Sequence, residues 1–138
     1  MKVVLGTNVL VSAYATRGLC AEVLRVVLAE HELVSAEVVL EELERVLARK
    51  IGLPGAEVER IVGFLREHPV QPRPASLPEI EVSDPDDAWV LASALEAGAD
   101  VLVTGDPDLL EVADAARGLR IVDPRGFWEL SRRGPAGG

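Results

Sequence analysis

An α/β fold, a three-layer α/β/α sandwich around a central parallel sheet, follows from three features of the sequence. Short runs rich in Val, Leu and Ile, at Lys2–Leu5, 101–104 and 119–122, are uninterrupted rather than alternating, as strands buried on both faces are. Segments with apolar residues at helical spacing separate these runs. Helix starts marked by an acid and a proline follow two of the runs directly, so acids should stand at the C-terminal ends of strands, where open α/β sheets bind ligands.

Lys2–Leu5 reads as the first buried strand, left through the turn Gly6-Thr7-Asn8 into helical or irregular structure that Arg17-Gly18 interrupts. Leu19–Glu30 carries Leu19, Val23, Leu24, Val27 and Leu28 on one side and Glu22, Arg25 and Glu30 on the other, an amphipathic helix. Residues 31–35 read as a second strand, and Ser35 or Ala36 opens a helix with the stripe Val39, Leu43, Val46 and Leu47. Glu37, Glu41 and Glu44 lie away from that stripe, but Glu42 sits at its margin beside Val38 and Val46. An acid there costs free energy unless it is paired, hydrogen-bonded or metal-bound; pairing with Arg45 or Arg49, or outward snorkelling, is the plain alternative.

Gly52-Leu53-Pro54-Gly55 breaks the chain, and residues 57–67 form a helix with Val58, Ile61, Val62 and Leu65 inward. Residues 68–82 hold four of the nine prolines, which makes them an extended connector with room for one edge strand. Asp84 is the expected N-cap of the next helix, Pro85 its first residue and Asp86 and Asp87 its first-turn acids, and Gly98 stops it. Gly105-Asp106-Pro107 turns the strand at 101–104 into a short helix over 109–116, which Gly118 ends. Residues 119–122 form the last strand, and Asp123-Pro124 starts a terminal helix that packs through Phe127, Trp128 and Leu130. Residues 1–131 are expected to be one domain, with 132–138 a flexible, frayed tail.

At 138 residues a single domain buries about two-thirds of its unfolded surface. The lone cysteine, Cys20, excludes an internal disulfide and a cysteine-rich zinc site, and suits a reducing cytoplasm. His31 and His68 are the two histidines and form no zinc-binding cluster. A net charge of -9 argues against a broad basic face for nucleic acid. It leaves room for a nuclease in which a bound cation supplies the positive charge and Arg17, Arg45 and Arg49 flank it, although solvated helix charges are the plain reading of those arginines. No apolar run approaches the ~20 residues of a membrane span. The N-terminus imitates a secretory leader through Lys2, its apolar stretch and Ala13-Tyr14-Ala15, but the polar Gly6-Thr7-Asn8 interrupts it.

The chemistry should lie where the acids can converge: Asp106 and Asp108 after one strand, Asp87 at a helix start, Glu42 on the earlier helix, beside the turn Gly6-Thr7-Asn8. Three or four converging carboxylates repel one another and coexist mainly when some are protonated or a hard divalent cation lies among them. Capping and helix-dipole roles explain acids at helix starts equally well, and Asp84 is assigned to that role.

Four motifs in order carry a family resemblance: Gly6-Thr7-Asn8, Glu42-Leu43, the acids of 84–87, and the run from Thr104 through Asp106 and Asp108 to Leu109. Singly weak, together they cover nearly the whole chain and resemble the PIN domain family, particularly its bacterial branch of toxin ribonucleases from toxin–antitoxin pairs. The resemblance implies a metal-dependent ribonuclease in which Glu42, Asp87 and Asp106 are catalytic and hold Mg²⁺ or Mn²⁺, with Asp108 a further metal ligand. It makes Thr7, Asn8 and Thr104 pocket-organising residues. It also implies an RNA substrate, an antitoxin protein as partner, a homodimer, a cytoplasmic location and no membrane. This sequence departs from the pattern at Gly6, where the family places its first pocket aspartate. Three readings follow: a natural member with a weakened site, an inactivating substitution, or a member that binds metal with fewer acids. The alternative function is a non-catalytic interaction module that binds a partner protein or RNA without cutting.

Overall fold

The computed structural model describes residues 1–133. The chain runs β1 (Lys2–Leu5), α1 (Thr7–Ala15), α2 (Leu19–Glu30), β2 (Glu32–Leu33), β3 (Ser35–Ala36), α3 (Glu37–Val46), α4 (Gly55–Arg66) and β4 (Val70–Gln71). It continues through α5 (Pro85–Glu96), β5 (Val101–Val103), α6 (Pro107–Glu111), β6 (Arg120–Val122) and α7 (Pro124–Arg133). The main sheet is parallel, in the order β2-β1-β5-β6. Val3, Val4 and Leu5 of β1 and all of β5 are buried, so both faces of the central strands are covered, which is why these runs do not alternate. The α/β fold with its central parallel sheet is the one expected.

The strand order decides where a ligand can enter. β1 is followed by α1 and α2 and then by β2 on one side, whereas β5 is followed by α6 and then by β6 on the other. The chain therefore leaves the neighbouring ends Leu5 and Val103, which are in register, in opposite directions and opens a crevice between them.

Residues 31–35, expected as one strand, divide instead. β2 pairs with Lys2 and Val3, and Val34 N–H donates to Val3 O at 2.9 Å. Ser35 N–H then donates to Pro69 O at 2.9 Å, so the ladder passes from β1 to the connector, and β3 and β4 form a separate two-stranded parallel sheet. β4 is an edge strand inside the proline-rich connector. α3 continues into a π turn, Leu47–Ile51, which Gly52 closes at φ 78°; Leu47 stays buried, while Val46 is only half-buried. The short helix expected over 109–116 is displaced towards the proline: α6 starts at Pro107, and a 3-10 turn, Ala113–Ala115, follows it. Arg132 and Arg133, expected to begin the tail, continue α7, and residues 134–138 of that tail lie outside the described residues.

The core runs beneath all of these elements and includes Phe127 of α7, whose ring meets His31 edge to face at 5.6 Å. The leader-like N-terminal stretch is folded as β1 and α1. Among the described residues no helix is long and apolar enough to cross a membrane.

Candidate functional site

The crevice between β1 and β5 is a cleft of about 170 Å³. Its floor and near wall come from Gly6 and Thr7 after β1 and Thr104 after β5. Asn8, exposed at its mouth, also lines it. Glu42 of α3, Asp87 of α5 and Asp106 before α6 face this one space, together with the apolar Val90 and Leu109.

Each acid is held by a different device. Thr7, the first residue of α1, is buried, and its hydroxyl donates to Glu42 Oε1 at 2.6 Å. Glu42 at the margin of its stripe is therefore hydrogen-bonded across to α1. The arginines on its own helix face are not its partners among the described residues. Asp106 is fixed twice: its N–H donates to the hydroxyl of buried Thr104 at 3.0 Å, and its Oδ1 accepts from Asp108 N–H at 2.9 Å as the N-cap of α6. Asp87 sits three residues after Asp84, the cap of α5.

Carboxylate oxygens of Asp87, Asp106 and Asp108 lie within 4.8 Å of one another. Asp87 Oδ2 is buried and has no hydrogen-bond partner among the described residues. Burial, then the neighbouring Asp106 carboxylate, then the charges of Asp84 and Asp108, push the Asp87 carboxyl up to about 8. Without a cation, burial and the neighbouring acids favour the protonated form of Asp87. An all-oxygen donor set with one buried, unpartnered carboxylate oxygen fits a hard divalent cation.

Two of the expected ligands stand apart from this arrangement. Glu42 lines the cleft but lies outside the close trio, and Asp108 belongs to the trio without lining the cleft. The sequence reading missed Asp84 and Asp86, which also line the cleft although both are exposed. Their signal was the acid-rich helix start Asp84-Pro85-Asp86-Asp87, in which Asp84 reads as the cap and Asp86 as a first-turn acid. Asp84 does cap, accepting from Asp86 N–H at 2.9 Å, and it also brings its charge near Asp87. Of the flanking arginines, Arg45 lines a groove beside the cleft; Arg17 and Arg49 line neither.

At Gly6 the backbone is extended, φ -70° and ψ 164°, which any residue adopts. A Cβ there would stand 3.5 Å from the Thr104 hydroxyl, an ordinary contact, but 3.3 Å from Val103 O, close enough that this backbone oxygen must yield by a few tenths of an ångström.

No curated protein matches this sequence. Among solved structures, the chain is similar to VapBC2 from Rickettsia felis bound to a DNA fragment from its promoter. The identity is 14%, the TM-score 0.64, and the match covers 89% of this chain and 98% of that one, a likeness of fold. The sequence profile of the PIN domain matches residues 2–108. That span runs from β1 into α6 and takes in every residue of the cleft except Leu109, and it places this chain in the PIN domain family.

Proposed function

We propose that this chain is a metal-dependent ribonuclease, the toxin component of a toxin–antitoxin pair, whose activity is reduced because Gly6 brings no carboxylate to the cleft. The observation that carries this reading is the trio of carboxylates, forced together at the switch point of a PIN domain with a buried oxygen of Asp87 left unpartnered. Such an arrangement is costly for folding and is relieved by a cation. Asp87, Asp106 and Asp108 would hold Mg²⁺ or Mn²⁺, with Glu42 facing them across the cleft. A cation held by these residues would supply water activation and positive charge for phosphodiester hydrolysis of RNA.

The remaining work falls to the protein. Thr104 and the start of α6 lock Asp106 in one orientation, so its carboxylate need not reorganise when the cation arrives. Thr7 does the same for Glu42, which is placed to take up a proton or complete the ligand set. Val90 and Leu109 supply the apolar part of a mostly polar lining. An antitoxin protein and a homodimer belong to the same reading and rest on the family branch alone.

Cleavage of an unstructured RNA, followed in Mn²⁺ and in EDTA, tests the activity, and calorimetric titration of Mn²⁺ into the parent and Asp87→Asn tests the site. The expected result is slow Mn²⁺-dependent cleavage and a binding heat that Asp87→Asn diminishes. Equal heats and no cleavage would leave a non-catalytic interaction module, the reading that Gly6 itself favours.

A further inference from the structure

We infer that a groove leading off the acid cleft seats an unpaired RNA nucleotide beside the scissile phosphate, with Trp89 and Arg73 as its stacking platform and Arg45 as its phosphate contact. This rests on the ribonuclease reading and adds how the substrate is held. The groove, about 130 Å³, shares Glu42, Asp86 and Val90 with the cleft, so the two form one continuous track. It adds Val38, Glu41, Arg45, Arg73 and Trp89.

In a chain of net charge -9, two arginines adjoining the acid cleft are where phosphate can be met. The Arg73 guanidinium stands 5.4 Å from the centroid of the Trp89 ring, within cation–π range. Its ion pair with Glu41 is 3.5 Å long, with the two side chains 51% and 46% exposed. A pair so exposed is weak and easily exchanged for a ligand. Trp89 follows Asp86 by three residues on α5, so its half-buried indole lies on the helix face that leads to the cleft. One end of the track is thus acidic and suited to a metal-held phosphate, and the other presents an aromatic ring and two guanidinium groups, that of Arg73 paired with Glu41. A nucleotide strand has that same succession of parts. Stacking on a side chain requires an unpaired base, which selects single-stranded RNA, and tolerates any base, which leaves sequence preference weak.

Fluorescence titration in Mn²⁺ at low salt tests this, with a short unstructured RNA carrying an end label so that binding is read separately by anisotropy. The RNA should quench the parent, and the quenching should vanish in Trp89→Phe, which keeps Trp128. Arg73→Ala, at a half-exposed side chain with little folding role, should weaken binding roughly tenfold. Arg49→Ala, outside both clefts, should not. A duplex of the same sequence should not quench. RNA that binds without changing Trp89 emission, or Arg73→Ala binding as the parent does, overturns the inference. An acidic peptide that quenches Trp89 where RNA does not overturns it as well. Quenching without cleavage sustains the groove and removes the ribonuclease reading, whereas cleavage without quenching does the reverse; failure of RNA to bind removes both.

Discussion

The tripeptide Asp-Pro-Asp occurs twice, at Asp84-Pro85-Asp86 and at Asp106-Pro107-Asp108, and both copies start a helix by the same device. In each the first aspartate has an extended backbone and accepts from the N–H two residues on at 2.9 Å, with the proline as the first helical residue. They differ in what comes before. Asp84 ends a long connector and is exposed. Asp106 follows a central buried strand, receives support from the Thr104 hydroxyl and is half-buried against Asp87. Local chemistry thus settles that both are caps, and only the path of β5 through the sheet brings one of them into the close trio with Asp87 and Asp108.

Asparagine caps a helix as well as aspartate does, so Asp84→Asn and Asp106→Asn remove charge while sparing both helix starts. If the two copies differ in function, metal-dependent cleavage should fall about a hundredfold or more in Asp106→Asn, since even residues behind a metal ligand are worth 10- to 100-fold. Asp84→Asn should stay close to the parent. Initial rates in saturating Mn²⁺ measure this, and the rise in melting temperature on adding Mn²⁺ gives the same comparison where cleavage is slow. Equal losses would erase the distinction between the copies.

Gly6→Asp sharpens the comparison by adding an acid on the Asp106 side of the cleft. The backbone accepts the change, but the Cβ crowds Val103 O, and the new carboxylate joins acids that already repel. In EDTA the variant should therefore melt a few degrees below the parent. In excess Mn²⁺ the order should reverse, with metal bound about tenfold more tightly; a cation that binds only the folded state then adds about 1.4 kcal/mol. Cleavage should rise with it. No change in either would mean that position 6 is not a vacant ligand position.

Much of the fold was legible because it is written locally. Unbroken runs in β1 and β5 reported burial on both faces, periodicity reported the buried sides of α2 to α5 except at Leu28, which the last turn of α2 leaves exposed, and glycines at 52, 98 and 118, all with positive φ, marked the stops. What escaped depends on partners far away in sequence. The division of 31–35 between two sheets is decided by Pro69 and Val70, and nothing within those five residues announces it. In the site, Glu42 stood out because its position clashed with its charge, but that Thr7 resolves the clash required α1 to be placed against α3. Arg73 and Trp89 meet across a connector without periodicity, so no spacing rule could pair them.

Alanine removes both the cap and the charge, which separates the two roles. Asp84→Ala should lose about 1 kcal/mol, roughly 4 °C in melting temperature. Asp106→Ala loses the same kind of cap but also removes the charge that weighs most on Asp87, so in EDTA above about pH 8, where Asp87 is ionised, its loss should be smaller. In Mn²⁺ the ranking should invert, because Asp106→Ala also forfeits the stabilisation that metal gives. Thermal melts under both conditions decide it. A larger loss for Asp106→Ala in EDTA would mean that repulsion at the cleft is negligible and that the second aspartate is a cap like the first.

The smallest expected effect is a dependence on pH. In the metal-free protein the Asp87 carboxyl is pushed up to about 8, chiefly by burial and by Asp106, from the 3.8 of an unperturbed aspartate. Between those two values the folded state holds a proton that the unfolded chain has released, so the contribution of Asp87 to stability is complete below about pH 4 and declines as pH rises towards 8. Asparagine cannot titrate. In EDTA, the melting temperature of the parent relative to Asp87→Asn should therefore fall steadily from about pH 5 to pH 8, by an amount that partial solvent exposure keeps modest. Asp84→Asn leaves Asp87 in place and should keep most of that slope. Manganese competes with the proton for the same carboxylate, so the stabilisation it gives the parent should grow over the same interval, opposite in sign to the metal-free trend. A parent curve parallel to that of Asp87→Asn in EDTA would show that the carboxylates are not forced together, and the second Asp-Pro-Asp would then differ from the first in position but not in chemistry.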